Sequence, residues 1–236
     1  AGNQCCAPLD GSHRPMTDRI PPTSWRRVGR IVLAAGCLLT AVGASFAPWV
    51  DRAPAALVLT APDLAEFVKF LPEVRVGTLV IERLAFLLPL FGVTFGLPLV
   101  LTAPGLGYPA WVRRLGLAAV CPLALCLLPP VWSPSVLLSE EFRQQTVGCG
   151  LCLALIIGSR WLRRLPLFGL LLVLPGLWII AAVQALWQFN VVQPAVARTY
   201  AGVVVPGWGA YAACVGSALM VVGLILAALG GIRPRR

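Results

Sequence analysis

Apolar residues run in long blocks along this 236-residue chain, separated by short polar or basic segments. A helix needs ~20 apolar residues to cross the hydrocarbon core of a bilayer. The blocks predict an all-α polytopic membrane protein with six spans, at about 29–50, 80–102, 112–132, 145–159, 165–189 and 207–231. The fourth block, TVGCGLCLALIIGSR, is the shortest, so a five-span interpretation remains open.

The same pattern divides the chain into a polar tail and a membrane domain. Residues 1–27 form the tail, and residues 28–236 form a six-helix transmembrane domain. Met16, in MTDRI, would make a natural translation start, so residues 1–15 are either native or an extension. The tail also holds Cys5, Cys6 and His13, whose irregular spacing is a weak signal for zinc, and acylation of the vicinal cysteines stays open.

One charged segment between the first two blocks, LTAPDLAEFVKFLPEVR, has helical periodicity. Thr60 can cap a helix whose first turn contains Pro62 and Asp63, in a pattern similar to a capping box. The sequence therefore predicts a short amphipathic helix at about 60–72. Its apolar stripe comprises Leu64, Phe67, Val68 and Leu71.

A helix this short is marginal alone in water, so its apolar stripe must rest on another surface. Either it caps its own bundle or lies on the membrane, or its acidic face docks a partner protein. Helices that bind lipid through charge are usually basic, which favours a protein partner for an acidic face. The candidate docking residues are Asp63, Glu66, Phe67, Lys69 and Glu73.

The basic residues are distributed unevenly between the two sides of the predicted membrane domain. With the N-terminus in the cytoplasm, 13 of the 19 basic residues fall on the cytoplasmic side and six on the outer side. Positive residues favour the cytoplasm. We therefore expect a multi-pass protein of a bacterial inner (plasma) membrane with both termini cytoplasmic, and the net charge of +10 requires no nucleic-acid partner.

Tryptophans also mark the predicted span ends, where amphipathic rings favour the membrane interface. Trp178 lies in the middle of a span and is expected to pack inside the bundle. The five near span ends are Trp49, Trp132, Trp161, Trp187 and Trp208.

The predicted span interiors contain few groups for chemistry. The only histidine is in the tail, so the spans offer no histidine ligand for haem, and we predict no metal or cofactor beyond lipid or quinone contact. Glu82 and Arg83 form either an ion gate or, as we favour, a pair anchored at the interface. Gln184 and Gln188, one turn apart, are weak candidates for binding a quinone headgroup, although such groups more often bond neighbouring helices.

Cys149 and Cys152 form the motif CGLC at the outer start of the fourth block. The motif resembles the quinone-reducing thiol pair of the membrane disulfide-generating oxidases, which implies a quinone-linked thiol–disulfide oxidoreductase. Those families use a second cysteine pair in an outer loop, and the predicted outer loops here contain no cysteine. The alternative interpretation is that membrane cysteines are small apolar packing residues.

Together these patterns favour a non-catalytic subunit that scaffolds, seals or assembles a larger membrane complex, with an energy-transducing complex as one candidate. Uncharged spans and ordered outer segments are typical of such subunits. The alternatives are the oxidoreductase with catalytic Cys149 and Cys152, and a small transporter of apolar molecules. We expect other membrane subunits and the lipid bilayer as partners.

Overall fold

The computed structural model describes residues 22–52, 57–200 and 202–230. These residues are predominantly helical with one short hairpin, so the all-α prediction is confirmed. Cys5, Cys6, His13 and the predicted cytoplasmic C-terminal arginines lie outside the described residues. Within them, four helices are long and apolar enough to cross a membrane: Trp25–Ser45, Arg83–Thr102, Leu167–Thr199 and Trp208–Leu229.

The elements follow one another along the chain with short connections. The helices are α1 (Pro22–Ser45), α2 (Ala61–Phe67), α3 (Pro72–Arg75), α4 (Leu88–Thr102), α5 (Ala110–Leu125), α6 (Pro134–Leu137), α7 (Arg143–Ile157), α8 (Ser159–Leu162), α9 (Leu167–Thr199) and α10 (Trp208–Leu229). Two 3-10 turns precede α3 and α4, at Val68–Phe70 and Arg83–Leu87. Strands β1 (Val50–Arg52) and β2 (Leu57–Leu59) pair antiparallel, with Val50 opposite Leu59.

Three helices end five or more residues away from the predicted ends of their spans. Helix α1 ends at Ser45, shortly before Pro48, and α5 ends at Leu125, before the proline-rich segment that leads into α6. Helix α9 continues ten residues beyond the predicted end at 189, through Pro194. Its extension is buried at Val192, Ala195 and Val196, so packing keeps this segment helical despite the proline.

Helices α1 and α10 pack antiparallel with their backbones in contact. Glycines recur every seventh residue on both contact faces. A Cβ on Gly36 would lie 2.6 Å from Met220 N, and one on Gly216 would lie 2.5 Å from Thr40 N. Only glycine permits this approach of the two backbones. The glycines are Gly29, Gly36 and Gly43 on α1 and Gly209, Gly216, Gly223 and Gly230 on or next to α10.

Two tryptophans anchor the core. Trp49, which the sequence places near a span end, is fully buried inside the bundle. The chain turns back after α1, which brings Trp49 edge-on to Phe86 and Phe189, and its Nε1 donates to Gly43 O at 2.9 Å. Trp178 is buried as predicted, and its Nε1 donates to Gly92 O at 2.9 Å.

The connecting segments gather at two ends of the bundle. At one end, Arg30 Nη1 donates to Gly107 O at 2.8 Å, which joins the start of α1 to the α4–α5 loop. At the other end, Lys69 Nζ lies 2.7 Å from Glu141 Oε1 and Arg198 Nη2 lies 3.0 Å from Glu73 Oε1. The segments that the six-span pattern assigns to the cytoplasmic side thus meet at one end of the bundle, and those it assigns to the outer side meet at the other end.

Candidate functional site

Residues 60–75, here called the cap, close one end of the bundle and contain α2 and α3. Thr60 N donates to Asp63 Oδ2 at 3.1 Å, and Asp63 N donates to Thr60 Oγ1 at 3.4 Å. This reciprocal pair confirms the capping box predicted from the sequence. Asp63 therefore helps to start α2, and its carboxylate accepts hydrogen bonds from Thr60.

The apolar stripe of the cap faces the bundle, as its periodicity predicts. Leu64, Val68 and Leu71 are all buried. Phe67 is half-buried and stacks on the ring of Tyr200, with 6.0 Å between the ring centroids. The stripe thus fixes the cap on the helices below it.

The charged side of the cap forms an ionic cluster with two later segments. The cluster comprises Glu66, Lys69, Arg83 and Glu141. Lys69 Nζ lies 2.5 Å from Glu66 Oε2 and 2.7 Å from Glu141 Oε1. Arg83 Nη1 lies 3.3 Å from Glu66 Oε1 and 3.4 Å from Glu141 Oε1. The Phe142 ring centroid is 4.9 Å from both cationic groups, within cation–π distance.

The cluster stabilises the charged forms of its members. Partial burial lowers the pKa of Lys69, but hydrogen bonds to Glu141 and Glu66 and their negative charges outweigh it, so the pKa is raised. The hydrogen bond from Lys69 is the main cause that lowers the pKa of Glu141, and the charges of Lys69 and Arg83 add to it. Two positive and two negative side chains therefore hold together the cap, the turn that precedes α4 and the residues that precede α7.

A second ion pair ties the end of the cap to α9. Glu73 Oε1 lies 3.0 Å from Arg198 Nη2. The hydrogen bond of Glu73 with its own backbone lowers the pKa of this carboxyl, and the contact with Arg198 lowers it further. Every charged member of the candidate docking set therefore has a partner within this chain.

The favoured interpretation of Glu82 and Arg83 as a neighbouring pair is wrong, because Arg83 pairs with residues distant in the sequence. Arg83 contacts Glu66 and Glu141 across the fold, and no ion pair with its neighbour Glu82 is present among the described residues. Three apolar side chains in and just after the cap are largely exposed. They are Phe70, Val76 and Val80, with 70%, 77% and 88% of their surface exposed.

An apolar cavity of about 410 Å³ lies beside the ionic cluster, between the segment entering α4, the end of α5 and α7. Gln145 lines it and is only 6% exposed, and no described residue forms a hydrogen bond with its Oε1. Arg143 and Gln144 are exposed at the cavity rim. The remaining lining residues are Leu84, Leu87, Leu88, Phe91, Leu127, Val147, Gly148 and Leu151.

The other sequence candidates lie away from this cavity. Gln188 is buried and Gln184 half-buried on α9, and neither lines the cavity. Cys149 and Cys152 are buried on α7 and do not line the cavity, and Cys152 Sγ donates to Thr94 Oγ1 at 3.5 Å. Within the described ranges, no three His, Cys, Asp or Glu residues come together as a metal site.

The cavity was missed at the sequence level because its polar member has no distinctive motif. Gln145 stands in the run RQQTVG, where it is indistinguishable from Gln144. Helical geometry places Gln145 inward and Gln144 outward. Only knowledge of which face of α7 points inward could have indicated this. A short apolar block with no clear periodicity does not define that face.

In comparison with known proteins, no family model, curated protein or solved structure matches this chain. Function is therefore inferred from the geometry.

Proposed function

We propose that this chain is a non-catalytic integral membrane subunit that scaffolds, seals or assembles a larger membrane protein complex. One observation carries the proposal: across the described ranges, no charged side chain is buried. Ion-coupled transporters and proton pumps carry ionisable groups in the membrane interior. The buried polar residues are Thr40, Ser45, Thr94, Thr102, Gln145, Gln188 and Ser217.

Most of the buried hydroxyls add no polar pathway. Thr94 Oγ1 donates to Leu90 O at 2.8 Å, and Ser217 Oγ donates to Ala213 O at 2.8 Å, in each case within the same helix. Thr102 bonds back to its own helix in the same way. A sealed interior of this kind suits a structural subunit better than a conduit for polar solutes.

The proposed topology has six spans in a bacterial plasma membrane, with both termini cytoplasmic and the cap outside. Helices α5 and α7 have 16 and 15 residues, or roughly 24 and 22 Å at 1.5 Å per residue. A hydrocarbon core is ~30 Å thick, so these two spans require local thinning of the bilayer or help from flanking residues. The gathering of loops at two ends and the excess of cytoplasmic basic residues support this arrangement.

For the cap, we propose a structural role with partner docking through its exposed side chains. Reversal of Glu66 or Glu73 would break intrachain ion pairs, so such variants would not separate docking from folding. Phe70 and Val76 have no such role, because both are largely exposed. The double variant Phe70→Ser, Val76→Ser should shrink a native complex while leaving the monomer folded. Val173→Ser, exposed near the start of α9 and outside the cavities described, serves as the control.

The main experiment is the native size of the protein after extraction from its own membranes in mild detergent. The proposal predicts a species larger than one chain plus its detergent belt, by native gel and by light scattering. A monomeric species at all detergent concentrations tested would contradict it.

The oxidoreductase alternative has weaker support from the geometry. Both thiols of the CGLC motif are buried, so a periplasmic thiol cannot reach them without movement of α7. Quinone reduction by the purified protein, lost in Cys149→Ala, would revive this alternative. Unchanged assembly after replacement of all six membrane cysteines would support the packing role.

A further inference from the structure

The polar residues that line the cavity beside the ionic cluster are concentrated at one of its ends. Its walls are apolar, but Arg143, Gln144 and Gln145 gather at the end nearest the cap. Its volume of about 410 Å³ falls within the ~300–1,000 Å³ typical of small-molecule sites. Val147 and Leu151, which line it, are 63% and 45% exposed on the outside of the bundle, so the cavity adjoins the surface that faces lipid.

The polar end of the cavity has an unmatched positive charge. Arg143 is the first residue of α7, where the helix dipole already favours an anion, and the first turn contains no acidic residue. No ion pair of Arg143 occurs among the described residues, since Glu141 is engaged by Lys69 and Arg83. An anionic group at this rim would meet both a guanidinium and the positive end of a helix.

Gln145 supplies a second recognition group inside the cavity. Its Oε1 is buried without a hydrogen-bond partner, which is costly unless a ligand donates to it. Gln145 also borders a smaller cavity lined by Asp63 and Glu66. Glu66 is paired with Lys69 and Arg83, and the Asp63 carboxylate accepts hydrogen bonds from Thr60 N and Oγ1.

We propose that this cavity binds one anionic phospholipid whose headgroup carries a hydroxyl, as in phosphatidylglycerol. An acyl chain lies along the apolar walls formed by α4 and α7. The phosphate contacts Arg143 at the start of α7, and the headgroup hydroxyl donates to Gln145 Oε1. The site is independent of the proposed subunit function, because it requires only that α7 lies in the membrane.

The test is native mass spectrometry of the purified full-length chain, delipidated in detergent and mixed with equal amounts of phosphatidylglycerol and phosphatidylcholine. The wild-type protein should retain one phosphatidylglycerol in preference to phosphatidylcholine. Arg143→Gln should reduce that preference roughly tenfold, about the effect of losing one charge-assisted contact. Arg143→Lys should restore most of it, because the positive charge is kept.

Two further variants separate binding from folding. Gly148→Leu should abolish retention by filling the cavity, since a Cβ at Gly148 meets only the Phe91 ring, at 3.6 Å. Ala119→Leu, in a second apolar cavity between α1, α4 and α5, should leave retention unchanged. All variants should keep the wild-type melting temperature within a few degrees in lipid-free detergent.

Equal retention of the two lipids would overturn the proposal, as would full retention by both Arg143→Gln and Gly148→Leu. Ubiquinone is added in a separate titration. Displacement of phosphatidylglycerol by a neutral quinone at equal concentration would assign the cavity to a quinone ring and also overturn it.

Discussion

The helix pair α1–α10 and the helix pair α5–α7 occupy the same bundle but are built differently. Helices α1 and α10 have 24 and 22 residues, and their backbones meet at glycines. Helices α5 and α7 have 16 and 15 residues, and each has few buried positions. The cavity, the orphan amide of Gln145 and the unpaired Arg143 all lie on the α5–α7 side.

The difference shows how the chain divides stability and recognition. In lipid there is little hydrophobic drive between helices, so close packing of small residues must hold α1 to α10. Helices α5 and α7 have few buried residues, and the ionic cluster holds this side of the bundle at one end. The looser packing leaves space for a ligand or a neighbouring subunit.

The largest expected effect is on the tight pair. Gly216→Leu places a side chain where a Cβ alone would lie 2.5 Å from Thr40 N and 2.9 Å from Gly36 O, backbone atoms that cannot move aside. We expect a loss of ~3 kcal/mol or more in unfolding free energy, and little folded protein in detergent. Gly150→Leu is the matched control, because no atom lies within 4 Å of a Cβ there. Size-exclusion profiles that show equal yields of the two variants would refute the proposed difference between the pairs.

A smaller loss is expected from the ionic cluster. Arg83→Ala removes a guanidinium that contacts Glu66 and Glu141 and leaves their carboxylates with Lys69 alone. We expect a decrease of about 1–2 kcal/mol in unfolding free energy, which thermal unfolding in lipid-free detergent will measure. Arg143→Ala should be close to neutral in the same assay. An Arg143→Ala loss as large as that of Arg83→Ala would contradict a special role of the ionic cluster in stability.

The cluster also gives stability a pH dependence. Glu141 and Glu73 have lowered pKa values when folded, so their contribution is present above the unfolded value of ~4.3 and is lost as the pH falls through their folded values. Lys69 has a raised pKa, so its contribution is complete below ~10.4 and is lost as the pH rises through its folded value. Melting temperature should therefore form a plateau between these limits, and Lys69→Gln should flatten both edges.

The smallest effect has the opposite sign. Gln145→Leu removes a buried amide oxygen without a partner, so the lipid-free protein should gain ~1 kcal/mol in unfolding free energy. Gln144→Leu, at the exposed neighbouring position, should change stability little. A loss of stability in Gln145→Leu would mean that this amide is satisfied in the protein and is not reserved for a ligand.

The sequence predicts the elements whose signals are local. The capping box at Thr60 and Asp63 is recoverable because both partners lie within one turn. The glycines of α1 and α10 also recur at a regular seven-residue spacing, which is a local signal. Contacts between distant segments were not predictable: nothing local shows that Arg83 meets Glu141, or that Trp49 turns into the core.

The most direct test of this account asks whether the short helix α7, on the loosely packed side of the bundle, crosses the membrane. Single cysteines at positions 140 and 163, on either side of α7, are introduced into a cysteine-free chain and labelled in sealed cells with an impermeant maleimide. Our account predicts labelling at 140 from outside, and labelling at 163 only after the membrane is opened. Labelling of both positions from outside would place α7 on the surface and contradict the account.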